Sequence, residues 1–189
     1  MARGKTITPE ALMALGAKRL AEALADACEN DAALRRKLQI LLAAQEGGGK
    51  LEQALAKRIA ALARSRKFLD WREVPTLAAE LAALREGIVA ELGSSDPRAA
   101  TDQLWRFLEI AQVTVERVDD SNGTIGDVFQ DAAADLGALL AKLPNLDRRG
   151  FAERLHTALG SDDYGVFARI IETGAPGLGE DGRARLRDC

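Results

Sequence analysis

The sequence is poor in the residues that build catalytic and metal sites. Among its 189 residues there is one histidine, His156, and there are two cysteines, Cys28 and Cys189. A single histidine excludes a metal site with several histidine ligands, and two isolated cysteines form neither a C-x-x-C pair nor a disulfide framework. We therefore expect no cofactor and no catalytic residues, and a reducing, cytoplasmic compartment.

Long apolar segments are also missing. The longest wholly apolar run has about six residues, whereas a membrane-spanning helix needs about twenty. The stretch after Arg3 and Lys5 has the outline of a signal peptide, but Glu22 and Asp26 interrupt it. We predict that this stretch is an amphipathic helix and that the chain does not enter a membrane.

Aromatic residues make up only 4% of the chain. Their scarcity, together with few β-branched residues, argues against a large sheet and against an aromatic-lined cofactor cavity. What is abundant is alanine, with 35 residues, and leucine, with 27. Both residues favour helices and close helix packing, so we predict an all-α fold.

Capping residues and glycines divide the chain into about eight to nine helices. Thr8 and Pro9 open the first, which the leucine spacing extends to about residue 28. The glycines and proline at 174–177 predict a break before a last short helix. At Pro75 two interpretations stay open, namely a separate short turn over 70–74 or a helix kinked in its first turn.

The predicted helices pair into antiparallel hairpins. These hairpins lie near residues 9–46, 50–93, 97–143 and 147–173. Their spacing matches the helix pairs of HEAT or tetratricopeptide-like stacks, although the units are not alike in sequence. We predict a single helical domain over 1–189, arranged as a solenoid of stacked hairpins or as an irregular bundle.

Charge is distributed unevenly along the chain. Residues 1–72 carry 14 Lys and Arg against 8 Asp and Glu, whereas residues 73–189 carry 12 against 21. The net charge of −3 argues against a dedicated nucleic-acid binder. Because such polarity can orient partners or join copies head to tail, we expect a protein partner or self-association.

Three basic residues share the polar face of the third predicted helix. Lys50, Lys57 and Arg64 lie opposite its apolar stripe and form a basic ridge. The helix lacks the aromatics that stack on bases, so a solvated face is the simpler interpretation and nucleic-acid binding through the ridge is an alternative. Arg58 and Arg66 flank the apolar stripe, and we expect both to pair with carboxylates of neighbouring helices.

Carboxylates cluster after residue 118. Asp119 and Asp120 open a turn, and Asp127 and Asp131 follow on one helix face. The turn does not fit a calcium loop, because hydrophobic residues occupy the first and last ligand positions of the EF-hand register. A tight turn and a solvated face are the simpler interpretations, while a metal-dependent hydrolase built on these four candidate metal ligands is an alternative.

Trp71 stands at a predicted helix start beside Arg72, where an exposed side chain could anchor a partner. The other large aromatics are predicted to lie in the core or between hairpins: Trp105, Phe107, Phe129, Phe151, Tyr164 and Phe167. The candidate interaction residues are Trp71, Lys50, Lys57, Arg64, Asp119 and Asp120.

The fifth and sixth predicted helices carry a pattern that resembles a known family. Residues 104–111 read LWRFLEIA, and residues 117–129 read RVDDSNGTIGDVF. With ALGAKRLA at 14–21 and FLDW at 68–71, they are similar to the signature of an uncharacterised bacterial family of all-helical proteins. The resemblance covers most of the chain and implies no catalytic residues. It also implies that this chain is either an N-terminal fragment of a longer protein or a shortened member of the family, since 162–165 resembles the start of a further repeat.

Together these patterns predict a non-catalytic helical-repeat module that binds a protein partner. Helix pairing and polarised charge are present, whereas the sequence motifs of enzymes are missing. The turn at 119–123 is either a structural clasp or the surface that the family uses, and a clasp is the simpler interpretation.

Overall fold

The chain is an all-α structure over residues 6–188, the part described by this computed structural model. Its helices are α1 (Pro9–Met13), α2 (Ala17–Asn30), α3 (Ala32–Gln45), α4 (Gly48–Arg64), α5 (Val74–Glu86), α6 (Gly93–Ser95), α7 (Pro97–Glu109), α8 (Ala111–Val115), α9 (Thr124–Leu140), α10 (Arg148–Leu159) and α11 (Ala168–Asp188). A π-helical segment, Gly87–Leu92, joins α5 to α6. The all-α prediction is confirmed, whereas the predicted count of eight to nine helices is too low.

The first predicted helix is interrupted. The Thr8 hydroxyl accepts a hydrogen bond from the Ala11 N–H at 3.2 Å, and Pro9 lies in the first turn, as predicted. A break nevertheless follows α1, and α2 begins after Gly16, whose φ of 81° lies in the left-handed region. The continuous helix predicted over 9–28 is therefore wrong, because a residue at this φ cannot continue an α-helix.

Pro75 lies in the first turn of α5, after a separate turn. The Asp70 carboxylate accepts a hydrogen bond from the Arg72 N–H at 2.9 Å, and the Glu73 N–H donates to the Asp70 carbonyl at 3.0 Å. Proline is tolerated in a first turn because the N–H groups there have no intrahelical partner. Of the two interpretations, the structure has the separate turn.

Helices α9 and α11 touch through their glycines. A Cβ at Gly137 would lie 2.7 Å from the nitrogen of Gly174, and a Cβ at Gly177 would lie 2.6 Å from the Cβ of Leu140. The chain stays helical through this contact, and its non-helical residue is Gly179, with a φ of 64°. The predicted break before a last short helix is therefore present, but it lies at Gly179 and not at Gly174 to Gly177, because packing against α9 holds 174–177 in a helix.

The helices form two layers around a continuous core. Helices α3, α5, α9 and α11 contact one another in this order, and α4 contacts α7 beside them. Helix α9 is central, since it contacts α5, α7, α8 and α11. One cluster of buried hydrophobic side chains runs from Ile40 to Ile170.

Five of the aromatics predicted for the core pack in it or against it: Trp105, Phe107, Phe129, Phe151 and Phe167. The placement of Tyr164 was wrong, because its side chain is 44% exposed in the turn before α11. Within residues 6–188, no helix is long and apolar enough to cross a membrane.

Candidate functional site

Two distant segments of the chain meet near the C-terminal end of α4. The Leu69 N–H donates to the Arg117 carbonyl at 2.9 Å, and the Asp119 N–H donates to the Leu69 carbonyl at 3.1 Å. These bonds form an isolated parallel bridge between Leu69 and Val118. The segments at 68–71 and after residue 117, which both carry the family resemblance, are therefore direct neighbours.

A pocket of about 400 Å³ opens beside this bridge, and we call it the junction pocket. Its volume lies in the range of small-ligand sites. Its titratable lining groups are Arg58, Lys67, Arg72, Arg117, Glu73 and Glu80. Because four cations face two carboxylates, the lining is positively charged.

Glu80 is neutralised by two arginines. Arg58 donates to both carboxylate oxygens at 2.6 Å, and the Nε of Arg36 donates to one of them at 3.0 Å. Burial raises the pKa of Glu80, but the hydrogen bonds and charges of Arg58 and Arg36 outweigh this effect and hold the pKa below its ordinary value. The expectation that Arg58 pairs with a carboxylate of a neighbouring helix is confirmed.

Arg117 has no carboxylate partner among the described residues. Its Nη1 donates to the Lys67 carbonyl at 3.2 Å, while its Nε is buried and has no hydrogen-bond partner. Burial lowers the pKa of Arg117, and the positive charge of Arg58 lowers it further. A guanidinium with a buried unsatisfied donor beside a like charge is unfavourable unless an anion accompanies it.

Two large aromatic side chains are exposed beside the junction pocket. Phe68 and Trp71 are 62% and 63% exposed, and each is next in sequence to residues that line the pocket. The guanidinium of Arg72 lies 5.0 Å from the centre of the Trp71 ring, within cation–π range. The exposure of Trp71 is compatible with the anchor considered from the sequence, and its contact with a partner stays a prediction. We call Phe68, Trp71, Arg72 and the junction pocket together the aromatic–basic surface.

The acidic turn at 119–123 holds the start of α9. The Asp120 carboxylate accepts hydrogen bonds from the Ile125 N–H at 3.0 Å and from the Gly126 N–H at 2.9 Å. Gly123, with a φ of 75°, directs the chain into the helix. A carboxylate at this position also interacts favourably with the helix dipole. These bonds are the ones that a structural clasp requires.

The other carboxylates of this region are either paired with an arginine or exposed. Asp131 and Asp135 both pair with Arg85, at 2.9 Å and 2.5 Å, whereas Asp119 and Asp127 are exposed. Arg85 therefore neutralises part of the acidic face of α9. Among residues 6–188, no group of three or more His, Cys, Asp or Glu side chains could hold a metal ion.

Asp120→Ala is expected to lower the free energy of unfolding by about 1–2 kcal/mol, since two backbone N–H groups lose their acceptor. Asp119→Ala is the matched control and should change it by less than about 0.5 kcal/mol, because this side chain is exposed. Urea unfolding of both variants measures the difference. Equal effects, or unchanged stability in Asp120→Ala with loss of a bound partner, would contradict the clasp.

The basic ridge lies apart from the junction pocket. Lys50, Lys57 and Arg64 are all exposed on α4, and none of them lines that pocket. Arg66 donates at 3.3 Å to the carbonyl of Ala63 and makes no ion pair among the described residues. Its predicted pairing with a neighbouring carboxylate is therefore wrong, because α4 ends at Arg64 and the side chain turns back onto its last turn.

A second pocket, of about 390 Å³, lies between α7 and the start of α10. Two of its charged lining residues, Asp147 and Arg154, already have partners. The Asp147 carboxylate accepts a hydrogen bond from the Gly150 N–H at 3.0 Å, and Arg154 pairs with Glu109 at 3.0 Å while lying 4.2 Å over the Trp105 ring. A ligand that binds Asp147 or Arg154 would have to displace these contacts, whereas the Arg117 guanidinium in the junction pocket has no carboxylate to displace.

Part of the aromatic–basic surface could be predicted from the sequence. Trp71 and Asp119 were candidate interaction residues, and the structure brings their segments together. Phe68, Lys67 and Arg117 were missed, because nothing in their local patterns indicates that residues fifty positions apart share a pocket. The one signal was that both segments belong to the family resemblance.

Comparison with known proteins gives a family but no activity. Residues 2–189 match a family of unknown function, DUF6880. No curated protein and no solved structure matches the chain. The resemblance to an uncharacterised family is thus confirmed at this level.

Proposed function

Because the chain belongs to the family of unknown function DUF6880, its function has to be inferred from its own geometry, and we propose that it is a non-catalytic protein-interaction module of stacked helical hairpins. Its aromatic–basic surface binds a negatively charged segment of a partner protein. One observation carries the proposal: Phe68 and Trp71 are exposed beside a pocket whose cations outnumber its carboxylates.

Exposed aromatics next to arginine are typical of binding surfaces. Tryptophan and arginine are enriched among the residues that contribute most to protein interfaces. Trp71 and Arg72 are in cation–π contact, so the ring and the guanidinium present one joint surface to a partner. Phe68 adds a second apolar contact on the same short segment between α4 and α5.

The charge pattern favours a protein segment over a nucleic acid. Asp70 and Asp119 lie outside the pocket on the same two segments as Lys67, Arg72 and Arg117, so the cations of the junction pocket are flanked by carboxylates. A nucleic-acid backbone would place phosphates along a continuous path and would meet these carboxylates. A peptide can place a single anionic side chain in the pocket and apolar side chains against Phe68 and Trp71.

Two similar turns support the repeat architecture. The Asp162 carboxylate accepts hydrogen bonds from the Phe167 N–H at 2.7 Å and the Ala168 N–H at 3.0 Å, and Gly165 has a φ of 67°. Asp120 and its turn have the same arrangement at the start of α9. Equivalent Asp-x-x-Gly turns before two helices of the same layer are expected of repeated hairpins.

Trp71→Ala should weaken binding of the partner by at least about tenfold, as expected for a tryptophan at the centre of an interface. The experiment captures binding proteins from the native cell with the wild-type chain and then measures the affinity of each purified protein for the variants. Leu42→Ala is the control, since this side chain is 60% exposed on α3 and does not belong to the aromatic–basic surface. The bound segment, mapped by limited proteolysis, should be acidic.

Three results would contradict the proposal. The first is a partner whose affinity falls with Leu42→Ala and not with Trp71→Ala. The second is self-association of the chain that Trp71→Ala abolishes, measured by sedimentation. The third is salt-dependent retention on single-stranded DNA that Trp71→Ala abolishes, which would assign the surface to nucleic acid.

A further inference from the structure

We infer that the junction pocket binds a phosphoryl group, held by the guanidinium groups of Arg117 and Arg72. The inference rests on the proposed function, because it names the charged group that the pocket accepts from a bound segment. Three properties of the pocket carry it, namely an unused donor, the charge that remains after pairing, and the available space.

Two nitrogens of the Arg117 guanidinium have no hydrogen-bond partner among the described residues. The Nε is buried, so the Nη2 is the donor that a ligand in the pocket can reach, while the Nη1 is held by the Lys67 carbonyl. The guanidinium is therefore fixed in place, with part of its fork unsatisfied. Guanidinium forks match the oxygen spacing of phosphate and carboxylate, and such charge-assisted hydrogen bonds are among the strongest in proteins.

The remaining charge favours a dianion. Arg58 is paired with Glu80, and Lys67 is paired with Glu73. Arg72 and Arg117 are left without an ion pair among residues 6–188. A phosphoryl group carries a charge of about −1.5 to −2 at neutral pH and would balance both guanidiniums, whereas a carboxylate would balance one.

The space fits a phosphoryl group together with the atoms that carry it. The pocket has a volume of about 400 Å³, which exceeds the need of a single small anion. The side chain of Ser65 also lines it, and its hydroxyl can donate to a phosphate oxygen. Phe68 and Trp71 lie beside the pocket, where they can contact the partner segment that carries the phosphoryl group.

Calorimetric titration of the full chain tests the inference with three probes. These are inorganic phosphate, N-acetyl-O-phosphoserine amide, and acetate at the same ionic strength. We expect both phosphoryl compounds to bind and acetate to bind at least about tenfold more weakly, since it makes fewer charge-assisted hydrogen bonds. Tighter binding of the phosphoserine compound supports a phosphorylated side chain as the source, and tighter binding of inorganic phosphate supports a free anion.

The variant Arg117→Met should weaken phosphate binding by at least about tenfold, because it removes the fixed guanidinium. It should remain folded, as judged by circular dichroism, since the charge that it removes is unsatisfied. Arg149→Met, which removes an exposed arginine of α10 outside the described pockets, is the matched control and should bind as the wild type does. If Arg117→Met does not fold, Arg72→Met carries the test, because that side chain is exposed.

Three results would overturn the inference. They are the absence of binding of either phosphoryl compound, equal affinity for acetate, and unchanged affinity in both Arg117→Met and Arg72→Met. The experiment separates this inference from the proposed function. If a partner still needs Trp71 but phosphate does not bind, only the phosphoryl site is overturned. Phosphate binding with a partner indifferent to Trp71 overturns only the proposed protein interface.

Discussion

Replacing Phe129 with alanine is expected to lower the free energy of unfolding by about 3–5 kcal/mol. Phe129 is fully buried, and its ring centre lies 5.0 Å from that of Phe107. It belongs to α9, which contacts α5, α7, α8 and α11, so a cavity there weakens the packing between both layers. At about 2–4 °C per kcal/mol for a chain of this length, the melting temperature should fall by roughly 6–20 °C.

Phe68→Ala is the matched control for this prediction. The same chemical change is made at a side chain that is 62% exposed, so the free energy of unfolding should change by less than about 0.5 kcal/mol. Urea unfolding followed by circular dichroism measures both variants. A loss of less than about 1 kcal/mol in Phe129→Ala, or an equal loss in both, would contradict the central position of α9.

The second large effect is expected at the contact between α9 and α11. In Gly137→Ala the added methyl group would lie 2.6 Å from the Thr173 hydroxyl and 2.7 Å from the Gly174 nitrogen. Backbone atoms cannot move aside as a flexible side chain can, so the two helices must separate. We expect a loss of about 1–3 kcal/mol or more in the free energy of unfolding, as for other overpacked interiors.

Gly126→Ala is the control within the same helix. Its nearest neighbour would be an Asp120 carboxylate oxygen at 3.8 Å, which is ordinary van der Waals contact. Alanine is a better helix former than glycine by roughly 0.5–1 kcal/mol, so this variant should be neutral or slightly more stable. Thermal unfolding of the pair decides the point: a stable Gly137→Ala would show that α11 does not touch α9 in solution.

Local signals in the sequence were sufficient for many helix boundaries. Thr8 with Pro9, Asp31 and Asp147 each cap a helix in the way that their residue types predict. A capping hydrogen bond joins residues about three positions apart, so the information that specifies it lies within a few residues. The all-α class follows in the same way from composition, because alanine and leucine favour helices wherever they stand.

Two of the helix boundaries that were predicted wrongly lie at glycines. Gly16 interrupts a stretch that the leucine spacing predicts as one helix, whereas Gly174 and Gly177 lie within a helix that breaks only at Gly179. Glycine permits both a left-handed turn and a close helix contact. Which of them occurs at 174–177 depends on α9, which the local pattern does not contain.

The same distinction between local and distant information applies to the candidate site. The pairing of Arg58 could be predicted because Arg58 flanks the apolar stripe of its own helix, and Trp71 was a candidate because it precedes a helix start. The unsatisfied Arg117 could not, since its state depends on the bridge between Leu69 and Val118 and on the nearby charge of Arg58. No local pattern shows whether a buried donor has a partner.

The sequence by itself determined that this protein is built from helices and has one histidine and two isolated cysteines for chemistry. Those properties depend on residue type and on spacing within a helix. Only the tertiary structure decided that the segments at 68–71 and 117–119 meet and that a guanidinium there lacks a partner. The physical reason is that charge balance and burial are set by whichever groups the fold brings within a few ångströms, however far apart they lie in the chain.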